Sequence, residues 1–424
     1  MKRILPLLLL LLSQFILHAQ NDCRSAEYKK QLINNSPQLI AKIAQVEAFT
    51  QSQQKNKTTI TNGETAGTTG VPAIINIPVV VHVVYNSSSQ NISDQQIFSQ
   101  IDVLNKDYAR QNADTINTPE IFRQFAANCN FHFELAKVDT LGYATTGIVR
   151  KHTSILAFTI DDRVKYSSLG GDDAWDDDKY LNIWVCNLNS GVLGYSSVVG
   201  GPKDKDGVVI LYSAVGVNGS AAAPFNLGRT ATHEIGHWLN LIHTWGDADC
   251  GDDLINDTPP QQQADRGNPQ GVIISCNNAP YGDMYTNFMD LTNDVSMNIF
   301  TNGQRDRMQS LFAPGGERFA MLSSTALTAT PLSGPVSTTT SPDNGNLTIS
   351  VFPNPATSMV SVQFNDVSII GSTLEIYNQA GQKVITTNVN ELLVQVNVSS
   401  LSKGIYYIKT GDGKSRMISK LIKM

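Results

Sequence analysis

The 424-residue chain is poor in charge: only 16% of its residues are Asp, Glu, Lys or Arg, whereas about 25% is usual. Its 31 basic and 37 acidic residues leave a formal net charge of −6, and no long basic run occurs. We therefore expect no nucleic-acid partner, because nucleic-acid-binding surfaces depend on clustered Lys and Arg. After residue 17 the chain also lacks any apolar segment long enough to span a bilayer, so no transmembrane anchor is expected in the mature protein.

The amino terminus has the pattern of an export signal. Lys2 and Arg3 precede an apolar run over residues 4–17, and the small residue Ala19 follows that run. The run is shorter than the roughly 20 residues that a membrane-spanning helix needs. The pattern predicts a secretory signal peptide over residues 1–19, cleaved after Ala19, and hence a secreted protein.

Cysteine is scarce, with five residues in the whole chain: Cys23, Cys129, Cys186, Cys250 and Cys276. Export allows disulfides to form, but an odd number leaves at least one thiol unpaired or paired with another chain. Cys23 stands alone near the expected mature N-terminus, which makes it our candidate for the odd thiol.

Composition divides the remaining chain into four parts. Residues 20–70 are polar and rich in Gln, Asn and Thr, which favours a removable pro-segment, with one amphipathic helix between residues 38 and 49. Residues 71–327 combine β-branched strands, the first over residues 77–85, with helices, so we expect an α/β (α+β) unit. A linker rich in Thr, Ser, Pro and Gly over residues 328–346 leads to residues 347–424, where about seven short strands predict a small all-β sandwich.

The chemistry is concentrated in the sequence His-Glu-Ile-Gly-His at residues 233–237. On a helix, His233 and His237 lie one turn apart on one face, so both imidazoles can bind one zinc ion. Glu234 then stands where a carboxylate can take a proton from a zinc-activated water that attacks a peptide carbonyl. The pattern indicates metal-assisted hydrolysis with Glu234 as general base.

The third zinc ligand has few candidates. No Glu occurs between Glu234 and Glu317, which leaves His243, six residues after His237. His243 can reach the same ion only if the helix ends just after His237 and the chain turns sharply. Asn240 stands at the turn position, and Asn is a frequent exception to the cost of about 1–2 kcal/mol that a left-handed conformation imposes on an L-residue.

Residues 233–245, His-Glu-Ile-Gly-His-Trp-Leu-Asn-Leu-Ile-His-Thr-Trp, resemble the metzincin signature and are most similar to the pappalysin family of zinc peptidases. Asn-Phe-Met-Asp at residues 287–290 resembles the Met-turn, and the likeness covers about residues 75–325. It implies a metzincin-like catalytic domain with a mixed sheet and an active-site helix. It also implies zinc bound by His233, His237 and His243, Met289 beneath the zinc, and protein or peptide substrates.

An acidic loop follows the zinc motif, and two interpretations of it are open. Residues 251–261 resemble the family's calcium-binding insert, which implies Ca²⁺ with four ligands: Asp252, Asp253, Asp257 and Thr258. A hard cation with six to eight oxygen ligands would relieve the repulsion between these carboxylates, whereas a solvated acidic loop would need no ion. Cys250 and Cys276 flank the insert and are expected to close it with a disulfide, leaving Cys129 and Cys186 to pair or to remain buried thiols.

Several positions differ from the family pattern. Asn240 replaces a glycine, and Leu291 replaces a tyrosine that assists the zinc site in relatives. Relatives prefer substrates with a basic residue after the scissile bond, because an acidic residue of the enzyme just beyond the Met-turn attracts it. Our alignment places Val295 at that position with Asp294 adjacent, so a preference for Arg or Lys is left open.

The resemblance to this family implies a role for Cys23. Relatives are kept latent by a pro-segment cysteine whose thiolate occupies the fourth position of the zinc, and Cys23 is placed for such a latency switch. An incidental thiol or a disulfide between two chains is the alternative.

The C-terminal part begins with Val-Phe-Pro-Asn-Pro-Ala at residues 351–356 and has Gly-Ile-Tyr-Tyr-Ile at residues 404–408. These sequences resemble the sorting domain of the type IX secretion system. The resemblance implies that the type IX machinery is a partner and that the protein is released outside the cell or attached to the outer-membrane surface. A carbohydrate-binding or adhesive sandwich is the alternative.

Two functions from different classes fit these patterns. The first is a secreted zinc endopeptidase kept latent by its pro-segment. The second is a non-catalytic surface adhesin or binding protein with a structural zinc site, which Leu291 and Asn240 would allow. A closed structural site needs a fourth protein ligand, so the presence of Glu234 favours the endopeptidase.

Overall fold

The computed structural model describes residues 22–59, 71–189, 191–332, 349–352, 354–364, 369–379, 381–410 and 417–424. The predicted signal peptide and most of the predicted linker lie outside these residues, as do residues 60–70 of the predicted pro-segment. No helix of the described ranges is both long enough and apolar enough to cross a membrane.

One mixed sheet organises residues 22–332. Its strands are β1 (Asp22–Cys23), β2 (Ile75–Tyr85), β3 (Phe131–Leu135), β4 (Ile148–His152), β5 (Leu181–Cys186), β6 (Val192–Ser196) and β7 (Val208–Leu211). They lie in the order β1-β6-β7-β5-β2-β3, and β4 pairs with the second half of β2. All neighbours are parallel except β6 and β7, so the sheet is mixed, as the sequence resemblance implies.

Within the described residues, six α-helices surround this sheet: α1 (Ser25–Asn35), α2 (Leu39–Thr59), α3 (Asp94–Tyr108), α4 (Glu120–Arg123), α5 (Arg229–Trp238) and α6 (Asn302–Ser310). The short strands β8 (Arg266–Gly267) and β9 (Leu291–Thr292) pair with each other in the loops after α5. The Ser93 side chain caps α3 by accepting a hydrogen bond from the amide of Gln96, which fixes the start of this helix at Asp94.

The two faces of the sheet carry separate apolar clusters, because successive strand residues point to opposite sides. Ile183 of β5 packs in the core that contains Leu104 of α3 and Ile235 of α5. Trp184, the next residue of β5, belongs to a cluster on the other face, together with Tyr28 of α1. Ile235 of α5 and Tyr28 of α1 therefore pack against opposite faces of one sheet.

The amino-terminal segment contains more helix than the sequence predicts. The expected helix over residues 38–49 is α2, which continues to Thr59, and α1 precedes it. The extension, residues 50–59, is polar and has no apolar repeat, so periodicity gave no signal for it. α2 packs against α6, which shows that tertiary contact supports the helix.

The C-terminal part consists of two antiparallel sheets. Its strands are β10 (Ile349–Phe352), β11 (Met359–Phe364), β12 (Thr373–Asn378), β13 (Lys383–Asn388), β14 (Leu393–Asn397), β15 (Gly404–Thr410) and β16 (Met417–Lys423). The orders are β10-β11-β14 and β13-β12-β15-β16. Val362 of the first sheet and Ile376 of the second belong to one buried cluster, which confirms a small all-β domain of seven strands.

Candidate active site

Three imidazole nitrogens converge beyond the C-terminal half of α5. The Nε2 atom of His237 lies 3.1 Å from those of His233 and His243, which are 3.3 Å from each other. Two nitrogens bound to tetrahedral zinc at 2.0–2.1 Å would lie about 3.3 Å apart. The spacing fits one ion of that size.

The second nitrogen of each ring fixes its tautomer. The Nδ1 atoms of the three histidines donate to the Phe288 carbonyl at 2.7 Å, to the Leu241 carbonyl at 2.9 Å and to the Asp247 carboxylate. Burial lowers the pKa of His233 to about 3 and holds the pKa of His237 well below its usual value. Neutral rings that donate from Nδ1 leave lone pairs on Nε2, so the lone pairs face one another, and a bound cation would remove that repulsion.

The chain reaches the third histidine through a left-handed turn. Asn240 has φ 71°, and the Leu241 amide donates to the Gly236 carbonyl at 2.9 Å just after α5 ends. Arg307 of α6, whose side chain is buried, donates from Nε to the Asn240 carbonyl at 2.7 Å. The rest of that guanidinium binds Glu47 of α2 at 2.5 and 2.9 Å, so the amino-terminal segment contacts the support of the turn.

Met289 lies beneath the helix of the zinc motif. It is fully buried, and its Sδ occupies the space that a Cβ at Gly236 would need, so a side chain at position 236 would require Met289 to shift. The Met289 amide donates to Asn287 Oδ1 at 2.9 Å, and the Asn287 side chain exchanges two hydrogen bonds with Gln304 of α6. This turn also carries the Phe288 carbonyl that orients His233.

Glu234 is fully buried between α5 and β6. Its Oε2 accepts a hydrogen bond of 2.7 Å from Ser25 Oγ of α1, and burial raises its pKa to about 7. A Cβ at Gly194 of β6 would lie 2.9 Å from Glu234 Cγ and from the Val209 carbonyl. Gly194 therefore makes room for the glutamate, a role that the sequence analysis missed and that a glycine inside a strand could have indicated.

A pocket lies beside Glu234 and His233. Its further lining includes Leu193, Phe225, Leu291, Asp294 and Met297. The Asp294 carboxylate accepts hydrogen bonds from the amides of Leu227 and Arg229, and burial raises its pKa to about 6. Val295 is 54% exposed and does not line this pocket. Asp294 therefore lines the pocket, whereas Val295, which our alignment places at the family's acidic position, does not.

The nearby tyrosines do not line this pocket. The Tyr285 hydroxyl donates to the Gly271 carbonyl at 3.0 Å, and the Tyr281 ring packs edge-on against Phe125. Leu291 brings only apolar surface to the pocket, so among the described residues no tyrosine hydroxyl replaces the one that the family pattern has there.

Cys23 lies at the convergence point of the histidines. β1 runs parallel to the edge strand β6, and the Arg24 amide donates to the Gly194 carbonyl at 3.0 Å. The Cys23 Sγ is 3.5 Å from His237 Nε2, and this sulfur and the three Nε2 atoms all lie within 4.8 Å of one another. Burial raises the pKa of the thiol, so a thiolate at this position requires a cation beside it.

The other four cysteines differ in whether they form a disulfide. Cys250 and Cys276 form a disulfide, as the sequence predicts. Cys129 and Cys186 are free and fully buried in the clusters on opposite faces of the sheet, so they do not pair with each other.

Two of the four candidate calcium ligands, Asp253 and Thr258, contact each other directly. Asp253 accepts hydrogen bonds from the Thr258 hydroxyl at 2.8 and 2.9 Å, and burial raises its pKa to about 7. Asp257 accepts from the Thr301 hydroxyl and the Gly303 amide at the start of α6. The fourth, Asp252, accepts from the Leu254 amide. Asp253 and Thr258 are therefore brought together, whereas Asp257 and Asp252 bind neighbouring segments.

The site combines a three-imidazole centre, a buried carboxylate one residue after the first imidazole and a sheet edge beside both. This combination is typical of the active sites of metzincin metallopeptidases.

Comparisons with known proteins agree with that class. Residues 166–313 match the peptidase family described as pregnancy-associated plasma protein-A, and residues 350–424 match the secretion system C-terminal sorting domain. An extracellular metalloprotease 1 of Coccidioides posadasii is 33% identical over 263 residues, which cover 57% of this chain and 78% of that protein.

Two solved structures from Tannerella forsythia are similar. Mature mirolysin in complex with a cleaved peptide is 50% identical, with a TM-score of 0.58, and the match covers 59% of this chain and 96% of that one. A promirolysin mutant is 43% identical, with a TM-score of 0.63 and coverage of 71% and 96%.

The chain belongs to this pappalysin family of metalloproteases. It is a secreted metalloendopeptidase with an N-terminal pro-segment, and it carries a C-terminal sorting domain for the type IX secretion system. The family relationship favours the endopeptidase over the non-catalytic adhesin.

Proposed function

We propose that His233, His237 and His243 hold a catalytic zinc ion and that Glu234 is the general base in peptide-bond hydrolysis. The observation that carries the proposal is the meeting of three Nε2 lone pairs beside a buried carboxylate. A zinc ion held there would supply Lewis acidity to a water molecule and to the peptide carbonyl.

Glu234 moves the proton in this scheme. A carboxylate held next to the metal-activated water is placed to act as its general base. Oε2 takes a proton from the attacking water and delivers it to the departing amine, so no covalent bond to the enzyme forms. In the precursor the Ser25 hydroxyl occupies Oε2, and Glu234 is available only after α1 leaves.

The edge strand β6 positions the substrate backbone. In the precursor β1 pairs with β6 through Asp22 and Cys23. Removal of β1 frees that edge for an extended protein or peptide chain, which binds by adding a strand. The side chain of the substrate residue after the scissile bond contacts the pocket lined by Leu193, Leu291 and Asp294.

Metal analysis tests the ligand assignment. We expect about one zinc ion per wild-type precursor and a loss of affinity of at least roughly 100-fold in His243→Ala, because even outer partners of metal ligands contribute 10–100-fold. His132→Ala, which removes an exposed histidine of β3, is the matched control and should keep its zinc. Equal zinc content in His243→Ala and the wild type would contradict the assignment.

We further propose latency by Cys23 within a pro-segment over residues 20–70. The support is the position of the sulfur, 3.5 Å from His237 Nε2, where it can take the fourth position on the ion. Contacts on both sides of Cys23 fix it in place, since β1 pairs with β6 and Ser25 binds Glu234.

We also propose that calcium binds the loop closed by the Cys250–Cys276 disulfide, with Asp252, Asp253, Asp257 and Thr258 contributing oxygens. Saturating Ca²⁺, at about 100 times its Kd, contributes about 2.7 kcal/mol to the folded state. The midpoint of thermal unfolding of the zinc-loaded precursor should therefore rise by roughly 5–10 °C.

Calorimetry with the Asp257→Asn variant as comparison measures this effect. The variant should lose most of the Ca²⁺-dependent rise, while Mg²⁺ should have little effect on either protein because it demands tighter octahedral geometry. An identical rise in the wild type and the variant would contradict these ligands, and no rise in either would exclude the site.

A further inference from the structure

Tyr28 of α1 occupies a pocket on the face of the sheet opposite the metal centre. Its ring is 1% exposed and packs against Tyr195 of β6 with centroids 4.9 Å apart. Its hydroxyl donates to Asp162 Oδ1 at 2.7 Å and accepts from Lys165 Nζ at 3.3 Å. Both hydrogen-bonding functions of the phenol are thus matched by charged groups.

The walls of this pocket are held together without Tyr28. Lys165 is fully buried, lies 3.1 Å from Asp162 Oδ1 and donates to the Lys205 carbonyl at 2.9 Å. Lys205 Nζ holds the other oxygen of Asp162 at 3.0 Å. The Lys165 ammonium also lies 5.5 Å from the ring centroid of Trp184 and 5.1 Å from that of Tyr195, within cation–π range. All these groups belong to the part of the chain that remains when the pro-segment leaves.

Departure of α1 leaves a ring-sized slot with a buried ammonium and a carboxylate at its end. A phenylalanine side chain would fill the slot but would not replace the two hydrogen bonds that the Tyr28 hydroxyl makes to Asp162 and Lys165, and an unmade hydrogen bond at a buried polar group is costly. A serine or threonine hydroxyl would not fill it. The donor, the acceptor and the aromatic walls together select a tyrosine side chain.

The position of the pocket relates it to substrate binding. Gly194 faces Glu234, whereas Tyr195, the next residue of β6, lines the pocket, so the two sites lie on either side of one edge strand. The precursor shows that one continuous chain can reach both, since Cys23 is at the metal centre and Tyr28 is in the pocket.

We propose that the pocket vacated by Tyr28 is an exosite of the mature enzyme that binds a tyrosine side chain of protein substrates. The exosite strengthens substrate binding without contacting the reacting bond, so it lowers KM and leaves kcat unchanged. This inference rests on the proposed peptidase function, because it concerns how substrates reach that active site.

Competition by small amides tests the exosite. The mature enzyme, obtained by activating the full precursor, is assayed on casein and on a short fluorogenic peptide without tyrosine. N-acetyl-L-tyrosinamide should raise KM for casein, leave kcat unchanged and have no effect on the short peptide. N-acetyl-L-phenylalaninamide should act at least tenfold more weakly.

Each other result has a defined meaning. Equal potency of the two amides, no effect of either on casein, or equal inhibition of the short peptide would overturn the exosite. Absence of short-peptide hydrolysis in the uninhibited enzyme would instead count against the proposed function, so the two failures are distinguishable. Lys165→Met should abolish the difference between the amides and retain short-peptide turnover, whereas Lys179→Met, at a lysine whose side chain is 54% exposed, should behave as wild type. The competition result holds even if Lys165→Met does not fold.

Discussion

Replacing Glu234 by alanine should reduce kcat for protein substrates by about 100-fold to 10,000-fold, the range that a positioned general base contributes. Among the described residues, two carboxylates line the pocket beside the three imidazoles. The substitution removes one of them, and the other, Asp294, accepts backbone hydrogen bonds at Oδ2 from Leu227 and Arg229. The three Nε2 atoms and their Nδ1 partners do not depend on Glu234, so zinc content should stay at the wild-type level.

The comparison needs matched preparations. Both precursors are processed with the same external protease, because the variant is not expected to process itself. Glu317→Ala is a suitable control, since Glu317 lies at the surface and its partner Lys42 leaves with the pro-segment. Equal turnover by wild type and Glu234→Ala would refute the assignment of the base, and loss of zinc from the variant would show a structural effect instead.

Substitution of Cys23 by alanine should increase spontaneous processing of the precursor at least tenfold. A tenfold change corresponds to only about 1.4 kcal/mol, which is small for the loss of a thiolate ligand to zinc. The pro-segment should still bind the variant through other contacts, among them Tyr28 with Asp162 and Glu47 with Arg307. The substitution is therefore expected to increase access to the three histidines without releasing the pro-segment.

Processing can be followed by gel electrophoresis and N-terminal sequencing of the mature form at fixed zinc concentration. Cys23→Ser keeps the side-chain size and should also be processed faster, though by less than the alanine variant if the hydroxyl retains weak ligation. An unchanged rate in both variants would remove Cys23 from the latency mechanism.

Much of the metal centre was predictable from spacing. Two histidines one helical turn apart share a face, and the sequence offers His243 and little else as a third partner. Reaching His243 needs a sharp turn, and Asn240 adopts the left-handed conformation that allows it. The strand pattern of the C-terminal part was equally predictable, because turn residues separate its short alternating strands. These features depend on local sequence, which periodicity records.

Features that depend on distant contacts were not predictable. Arg307 and Glu47, which support the turn, are 260 positions apart in the sequence. Tyr28 is 134 positions from Asp162 and 137 positions from Lys165. Nothing in a single sequence indicates such partners. The sequence also does not indicate that Asp294 and not Val295 lines the pocket, because this depends on the 3-10 turn over Asp294–Ser296, in which Asp294 is buried and Val295 is exposed.

The cysteine arrangement has a consequence for the protein outside the cell. Two of the five cysteines are locked in the Cys250–Cys276 bridge, and Cys129 and Cys186 are shielded by burial that also raises their pKa values. Cys23 is the remaining sulfhydryl, and it lies in the proposed pro-segment, whose removal on activation would take it away. The released enzyme therefore has no accessible sulfhydryl among its described residues, which makes it inert to thiol–disulfide exchange with oxidised partners in its surroundings.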